Sequence, residues 1–173
     1  MKNPEPAVVD ISQQPPQTAS KRAAGGVLVD GMDNCLIKFS RCCNPLPGDD
    51  IIGFITRGFG VSIHKRSCSN VPKDFTLAAE PERWVGAHWA GDVKEEFKST
   101  LHIVSVDRSG LLADVTQQLL NMHIFIHQLN SRLIKNTPNS LIEATITING
   151  LDHLKSVIDR LMKVQGVINI ERS

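Results

Sequence analysis

The chain has no apolar run approaching the roughly 20 residues that a membrane-spanning helix needs. Its aromatics are few, 5% of the residues with no tyrosine, and none lies in the apolar runs 101–106 and 141–149. A module that reads bases by stacking would need rings on such central strands. There is no His-Asp dipeptide of the kind that holds a hydrolytic metal and no Gly-rich phosphate loop, so nothing supports catalysis by this chain alone. A net charge of +1 allows one or two small domains with no overall pull toward a polyanion. Four cysteines are present without a CxxC spacing. Two of them are adjacent, which makes a pair of disulfides awkward. The free thiols and the missing secretory signal lead us to expect a reducing, cytoplasmic setting.

Most of the chemistry is concentrated in residues 39–70, FSRCCNPLPGDDIIGFITRGFGVSIHKRSCSN. Runs 51–56 and 61–64 are rich in β-branched residues and flank Arg57, Gly58, Phe59 and Gly60, the pattern of a hairpin whose glycines supply the turn. Folding there brings His64 and Cys68 back toward Cys42 and Cys43. Adjacent cysteines point to opposite sides of an extended strand, so both reach one ion only if the backbone bends, and Asn44 and Pro45 supply a bend. Cys42, Cys43, His64 and Cys68 would then form a closed Cys3His site suited to structural zinc. In small finger peptides such zinc contributes about 10–16 kcal/mol. The residues alone leave two other readings open. Cys42 and Cys43 can be small core residues beside a strand-end histidine, or one of them can serve as a thiol redox switch.

The run KFSRCCNPLPGDDIIGFITRGFGVSIHKRSC resembles the conserved-cysteine zinc-finger segment near the C-terminus of long RelA/SpoT-type stringent-response proteins. The CC pair, the PGD turn, the TRG tip and the HxxxC of that family are all present. Cys35 lies outside the signature and is expected at an apolar strand position.

Upstream, residues 1–26 carry Pro4, Pro6, Pro15 and Pro16 without a hydrophobic period and read as a flexible linker. A chain that opens this way is expected to be a piece of something longer. Runs 27–30 and 35–39 around Gly31, Met32, Asp33 and Asn34 suggest a leading hairpin for a cysteine domain spanning residues 27–73. Within residues 31–73 six bases face three acids, a surplus of +3. Arg57, Lys65 and Arg66 are either a phosphate-binding patch or an ordinary solvated surface. The resemblance favours the former and implies docking on ribosomal RNA through Arg41, Arg57, Lys65 and Arg66. Residues 74–96 read as a connector with one strand over 83–89, its Trp84 and Trp89 more apt to pack at a domain junction than to stack on bases.

Residues 97–173 turn regular: strand 101–106, helix 110–122, strand 124–135, strand 141–149, helix 151–163 and strand 167–171. The order βαββαβ is the ferredoxin-like plan, making the whole chain α+β, a small β-rich zinc-knuckle-like domain followed by a ferredoxin-like one. The turn Asp107, Arg108, Ser109, Gly110, Leu111, Leu112 resembles the DRxGLL turn of ACT domains, which often bind amino acids. Free amides at the helix start can hold a carboxylate, with Gly110 permitting close approach and Asp107 capping the helix or receiving an ammonium. A strand-to-helix turn also favours Asp, Ser and Gly when nothing binds. His102, His123, His127 and His153 show no metal spacing.

The two resemblances occur in the order found in long RelA/SpoT proteins. They imply a regulatory C-terminal fragment of a (p)ppGpp synthetase/hydrolase (GTP pyrophosphokinase) that senses the ribosome and controls upstream catalytic domains. Edge-to-edge pairing of ACT sheets adds a homodimer. The alternative is an ACT-based sensor of a branched-chain amino acid.

Overall fold

The computed structural model of the chain describes residues 24–58, 60–91 and 93–173; the linker expected over residues 1–26 lies almost wholly outside them, as does Phe59. Among the described residues nine strands and two α-helices follow in order: β1 (Val27–Val29), β2 (Ile37–Phe39), β3 (Ile51–Ile55), β4 (Val61–Lys65), β5 (Trp84–Trp89), β6 (Phe97–Val106), α1 (Leu111–Asn121), β7 (Ile126–Leu133), β8 (Asn139–Ile148), α2 (Leu151–Leu161) and β9 (Val167–Arg172). They build two sheets, β1-β5-β3-β4-β2 and β7-β8-β6-β9, giving the expected α+β class.

In the first sheet the hairpin β3–β4 forms as its alternation and glycines predict, with Ile52 opposite His64. Gly60 takes φ 110 and lies against the Leu36 backbone, where any side chain would press on the Leu36 carbonyl oxygen. That close approach lets Val61 donate its N–H to Leu36 O at 2.8 Å and carries β2 alongside β4 in parallel. The leading hairpin is therefore absent. β1 and β2 lie at opposite edges of the sheet, and the isolated bridge between Val29 and Met32 closes only the turn that follows β1. Burial explains the difference, because Val27 and Val29 face the core and pair with Trp89 and Ala87 of β5.

The strand expected in the connector belongs to this same sheet. β5 lies between β1 and β3, closed by Gly53 opposite Val85.

The second sheet has the strand order of the βαββαβ plan, all of its pairs antiparallel. On β8 the residues Ile142, Ala144, Ile146 and Ile148 are fully buried, as period-two alternation requires of a sheet covered on one face. Leu111, Val115 and Leu119 of α1 and Leu154, Val157 and Leu161 of α2 complete that core, each set spaced by three or four residues on one helix face. β6 begins four residues earlier than its apolar period suggested, and Phe97 is buried there.

One core residue comes from outside. Leu46, on the loop between β2 and β3, is 1% exposed and packs in the core of the second sheet. No described helix is long and apolar enough to cross a membrane.

Candidate metal centre

Cys42 and Cys43 follow β2 in a turn closed by the Asn44 N–H on the Ser40 carbonyl at 2.9 Å. Asn44 has φ 41, a left-handed conformation that Asn tolerates better than most residues. This bend turns two adjacent side chains toward one point. His64 comes from β4, and Cys68 from the following turn, where its N–H bonds to Lys65 O at 2.9 Å. The sequence thus supplies two ligands from a bend and two from the far side of a hairpin.

The four donor atoms all lie within 4.8 Å of one another. Cys42 Sγ is 3.4 Å from His64 Nδ1, 3.4 Å from Cys68 Sγ and 3.9 Å from Cys43 Sγ. Cys43 Sγ is 3.9 Å from the same Nδ1. These sulfurs are too far apart for disulfides, whose bond is about 2.05 Å. The other ring nitrogen of His64 faces Ser62 Oγ at 3.5 Å, a partner two residues earlier on the same strand face. Such a contact orients a ligating imidazole. Beneath the cluster lie Ile52, Val71, Phe75 and Trp84, with Trp84 edge-on to the His64 ring at 6.0 Å.

The electrostatics are uneven. Burial raises the Cys42 thiol, but hydrogen bonds with Ser40, Asn70, Cys68 and Cys43 outweigh it and bring the thiol down to about 7. Burial pushes Cys43 up to about 12 despite the Lys65 N–H donating to its sulfur at 3.3 Å. Burial also holds His64 below its ordinary range, favouring the neutral ring that offers Nδ1 as a lone-pair donor. Three thiols and one imidazole converging in this way can hold a metal ion, and among the described residues no other such cluster occurs. Cys35 packs half-buried against the first core.

The basic residues do not converge. Lys65, Arg66 and Ser67 share a cleft of about 340 Å³ with Asp49 and Asp50, and Arg66 pairs with Asp50 at 3.2 Å. Arg57, at the other end of the hairpin, is five positions beyond Ile52, the register partner of His64, or about 17 Å along the strand. It pairs there with Glu80 at 3.1 Å. The carboxyl of Glu80 is held below its usual range, first by Arg57 and also by Arg83. Arg41 is exposed beside Cys42.

The turn before α1 is also only partly as expected. Gly110 is the N-cap with φ 81, and no side chain caps the helix; Asp107 is exposed and does not do so. Leu111 is buried in the core, while Leu112 is 41% exposed. Arg108 folds over the turn, its guanidinium reaching Asp114 Oδ2 at 2.6 Å and Gln165 O at 2.8 Å.

Sequence reasoning missed the residues that couple this centre to the second sheet. Asp49 accepts the Leu46 N–H at 2.8 Å and both arms of the Arg172 guanidinium, at 3.3 and 2.9 Å. Arg172 also donates to Asn44 O, and Leu151 N–H bonds to Pro47 O at 2.8 Å. Trp89 stacks on Phe39 at 5.6 Å and meets Phe97 edge-on at 5.8 Å, so it packs at the junction, whereas Trp84 packs under the cysteines. PGD was visible as a turn, but nothing local marks an aspartate for a partner 123 positions away.

Residues 27–90 match the model of the RelA/SpoT RIS domain, and residues 94–172 that of the ACT domain. The chain belongs to the RelA/SpoT family. A GTP pyrophosphokinase of Myxococcus xanthus is 39% identical over 149 residues, covering 85% of this chain and 19% of the relative. The GTP pyrophosphokinase of Haemophilus influenzae is 36% identical over 156 residues, 90% of this chain and 21% of the relative. The chain thus spans about a fifth of the length of the curated relatives it matches. The solved ACT domain from GTP pyrophosphokinase of Chlorobium tepidum is 25% identical over 46% of this chain, with a TM-score of 0.40.

The side chains of Asp49 and Arg172 are only 12% and 11% exposed, so removing one partner strands a nearly buried charge. Asp49→Ala is expected to cost about 3–5 kcal/mol in urea unfolding. The double change Asp49→Ala with Arg172→Met is expected to recover part of that loss.

Proposed function

We propose that this RIS–ACT pair is a regulatory region of a RelA/SpoT-type GTP pyrophosphokinase, in which a structural zinc holds the RIS domain in the shape that meets ribosomal RNA. The observation that carries the reading is the convergence of Cys42, Cys43, His64 and Cys68. A tetrahedral zinc with Zn–S bonds of about 2.3 Å keeps its ligands roughly 3.7 Å apart. The separations of 3.4 to 3.9 Å around Cys42 and Cys43 fit that spacing. With four protein ligands no position remains for substrate, so the ion supplies rigidity and no chemistry.

In this reading Arg41, Lys65 and Arg66 flank the centre and provide the phosphate contacts, with Arg57 a separate contact at the hairpin tip. Ribosome state would pass through the RIS domain to catalytic domains elsewhere in the same polypeptide and so adjust (p)ppGpp metabolism in the cytoplasm. The ACT domain would dock, or pair with a second copy.

The first test is metal content by native mass spectrometry of protein purified without chelator. One zinc per chain is expected, lost in Cys43→Ala together with ribosome binding. A folded, metal-free protein that still binds ribosomes would sink the zinc reading.

The pH dependence has a definite sign. Cys43, pushed up to about 12 without metal, must give up a proton on zinc binding, so acidification favours the apo form. His64, held low by burial, stays neutral longer than an ordinary histidine. Zinc release followed with a chelating dye should increase as pH falls below neutrality, and release that is flat with pH would argue against thiolate ligation.

A second reading, amino-acid sensing, draws on the uncapped start of α1 at Gly110. It predicts saturable heat on titration with valine, leucine or isoleucine, abolished by Gly110→Val. The ribosome reading requires no such heat.

A further inference from the structure

A cavity of about 280 Å³ opens between the end of α1 and α2, lined by Asn121, His123, His153, Ser156 and Arg160 with an apolar wall of Met122 and Val157. It lies in the ACT domain, and none of its residues belongs to the metal centre or to the turn at Gly110. On α2 the spacing 153, 156, 157, 160 places these residues on a single helix face. Asp152 and Asp159 are not part of the lining. Asp152 is instead 3.9 Å from Lys155.

No carboxylate is among the lining side chains, and Asn121, His123, His153 and Arg160 each carry an N–H that can donate a hydrogen bond. Arg160 is in no ion pair among the described residues. His153 accepts the Asn149 N–H on Nδ1 at 3.1 Å, which makes Nε2 the protonated nitrogen of the neutral ring and therefore a donor. The Asn121 side-chain N–H2 adds a donor, its oxygen already accepting from Gln117 at 2.9 Å, while the Ser156 hydroxyl donates to Asp152 O at 3.2 Å and offers the cavity only an acceptor.

The end of a helix would ordinarily repel an anion through its unpaired carbonyls. Here those of Gln118, Leu119 and Leu120 are paired: Met122 N–H reaches Gln118 O and Leu119 O, His123 N–H bonds to Leu120 O, and Ile124 N–H to Leu119 O. His123 makes this closure at φ 57, in the left-handed position where glycine or asparagine is usual. An imidazole is thereby set on the cavity wall where those residues would place none.

We propose that this cavity is a binding site for a phosphorylated small molecule. A phosphate offers oxygens in several directions, matching donors spread over two helices and a turn, whereas a carboxylate presents two in one plane. Arginine is the side chain best suited to such an oxyanion. The apolar wall of Met122 and Val157 would receive the organic part of the ligand.

The test is calorimetry of the full chain with inorganic pyrophosphate as probe. Saturable one-to-one binding is expected, weakened about tenfold by Arg160→Ala, a loss equal to about 1.4 kcal/mol, and less by Arg160→Lys. The exposed control Arg132→Ala should leave it unchanged. No saturable heat to millimolar pyrophosphate, equal loss in the control, or tighter binding of succinate than of pyrophosphate would each overturn the proposal. So would capture of a short RNA through Arg160 without any affinity for pyrophosphate. Zinc content and ribosome binding are unaffected by Arg160→Ala if the site is separate, so failure here is distinguishable from failure of the functional reading above.

Discussion

The contact between Asp49 and Arg172 is the constraint on which the arrangement of the two sheets depends. Asp49 fixes its own loop by accepting the Leu46 N–H and fixes the end of β9 through a two-armed guanidinium contact. The Asp49 carbonyl also accepts the Trp89 indole N–H at 3.0 Å. One residue therefore ties together the loop after the cysteines, the last strand of the first sheet and the last strand of the second. Because both charges are nearly buried, losing either partner costs more than the intact pair contributes to net stability.

The cysteine centre and this contact are parts of one structural device. Cys43 is followed by Asn44, whose carbonyl accepts from Arg172, and two residues later Leu46 enters the second core. A change in backbone geometry at the cysteines is therefore felt directly by side chains that hold the ACT domain. Pro45 and Pro47 stiffen the intervening segment by fixing φ. A shift in the cysteine turn and a reorientation of the ACT domain would consequently be difficult to separate.

Much of this was legible in the sequence because local signals dominate there. Alternation over Ile142, Ala144, Ile146 and Ile148, the Leu111–Val115–Leu119 spacing and the glycines of the β3–β4 tip each report a strand, a helix or a turn without outside help. The four cysteine-cluster residues were also legible, since the hairpin fixes which side chains can meet. What was not legible is pairing between distant segments. β1 could not be seen to pair with β5, nor β2 with β4, because three-residue strands carry too little pattern to specify a partner. The same limit hid Leu46, a lone apolar residue between Pro45 and Pro47 with no periodicity around it. The basic residues misled in another way: a charge count adds Arg57 to Lys65 and Arg66, while the hairpin's length separates them.

The span of the Asp49–Arg172 contact, 123 positions, has a consequence for the order in which the molecule assembles. Loop closure over such a distance is entropically costly, and long-range pairings form slowly. The β3–β4 hairpin can form as soon as its own residues are free, but the first sheet must wait for β5. The guanidinium that fastens the two modules sits on β9, so its contact with Asp49 needs both sheets in place. A chain whose modules are not seated would expose Leu46 and leave Asp49 without its guanidinium partner, a combination that quality-control proteases and chaperones can recognise.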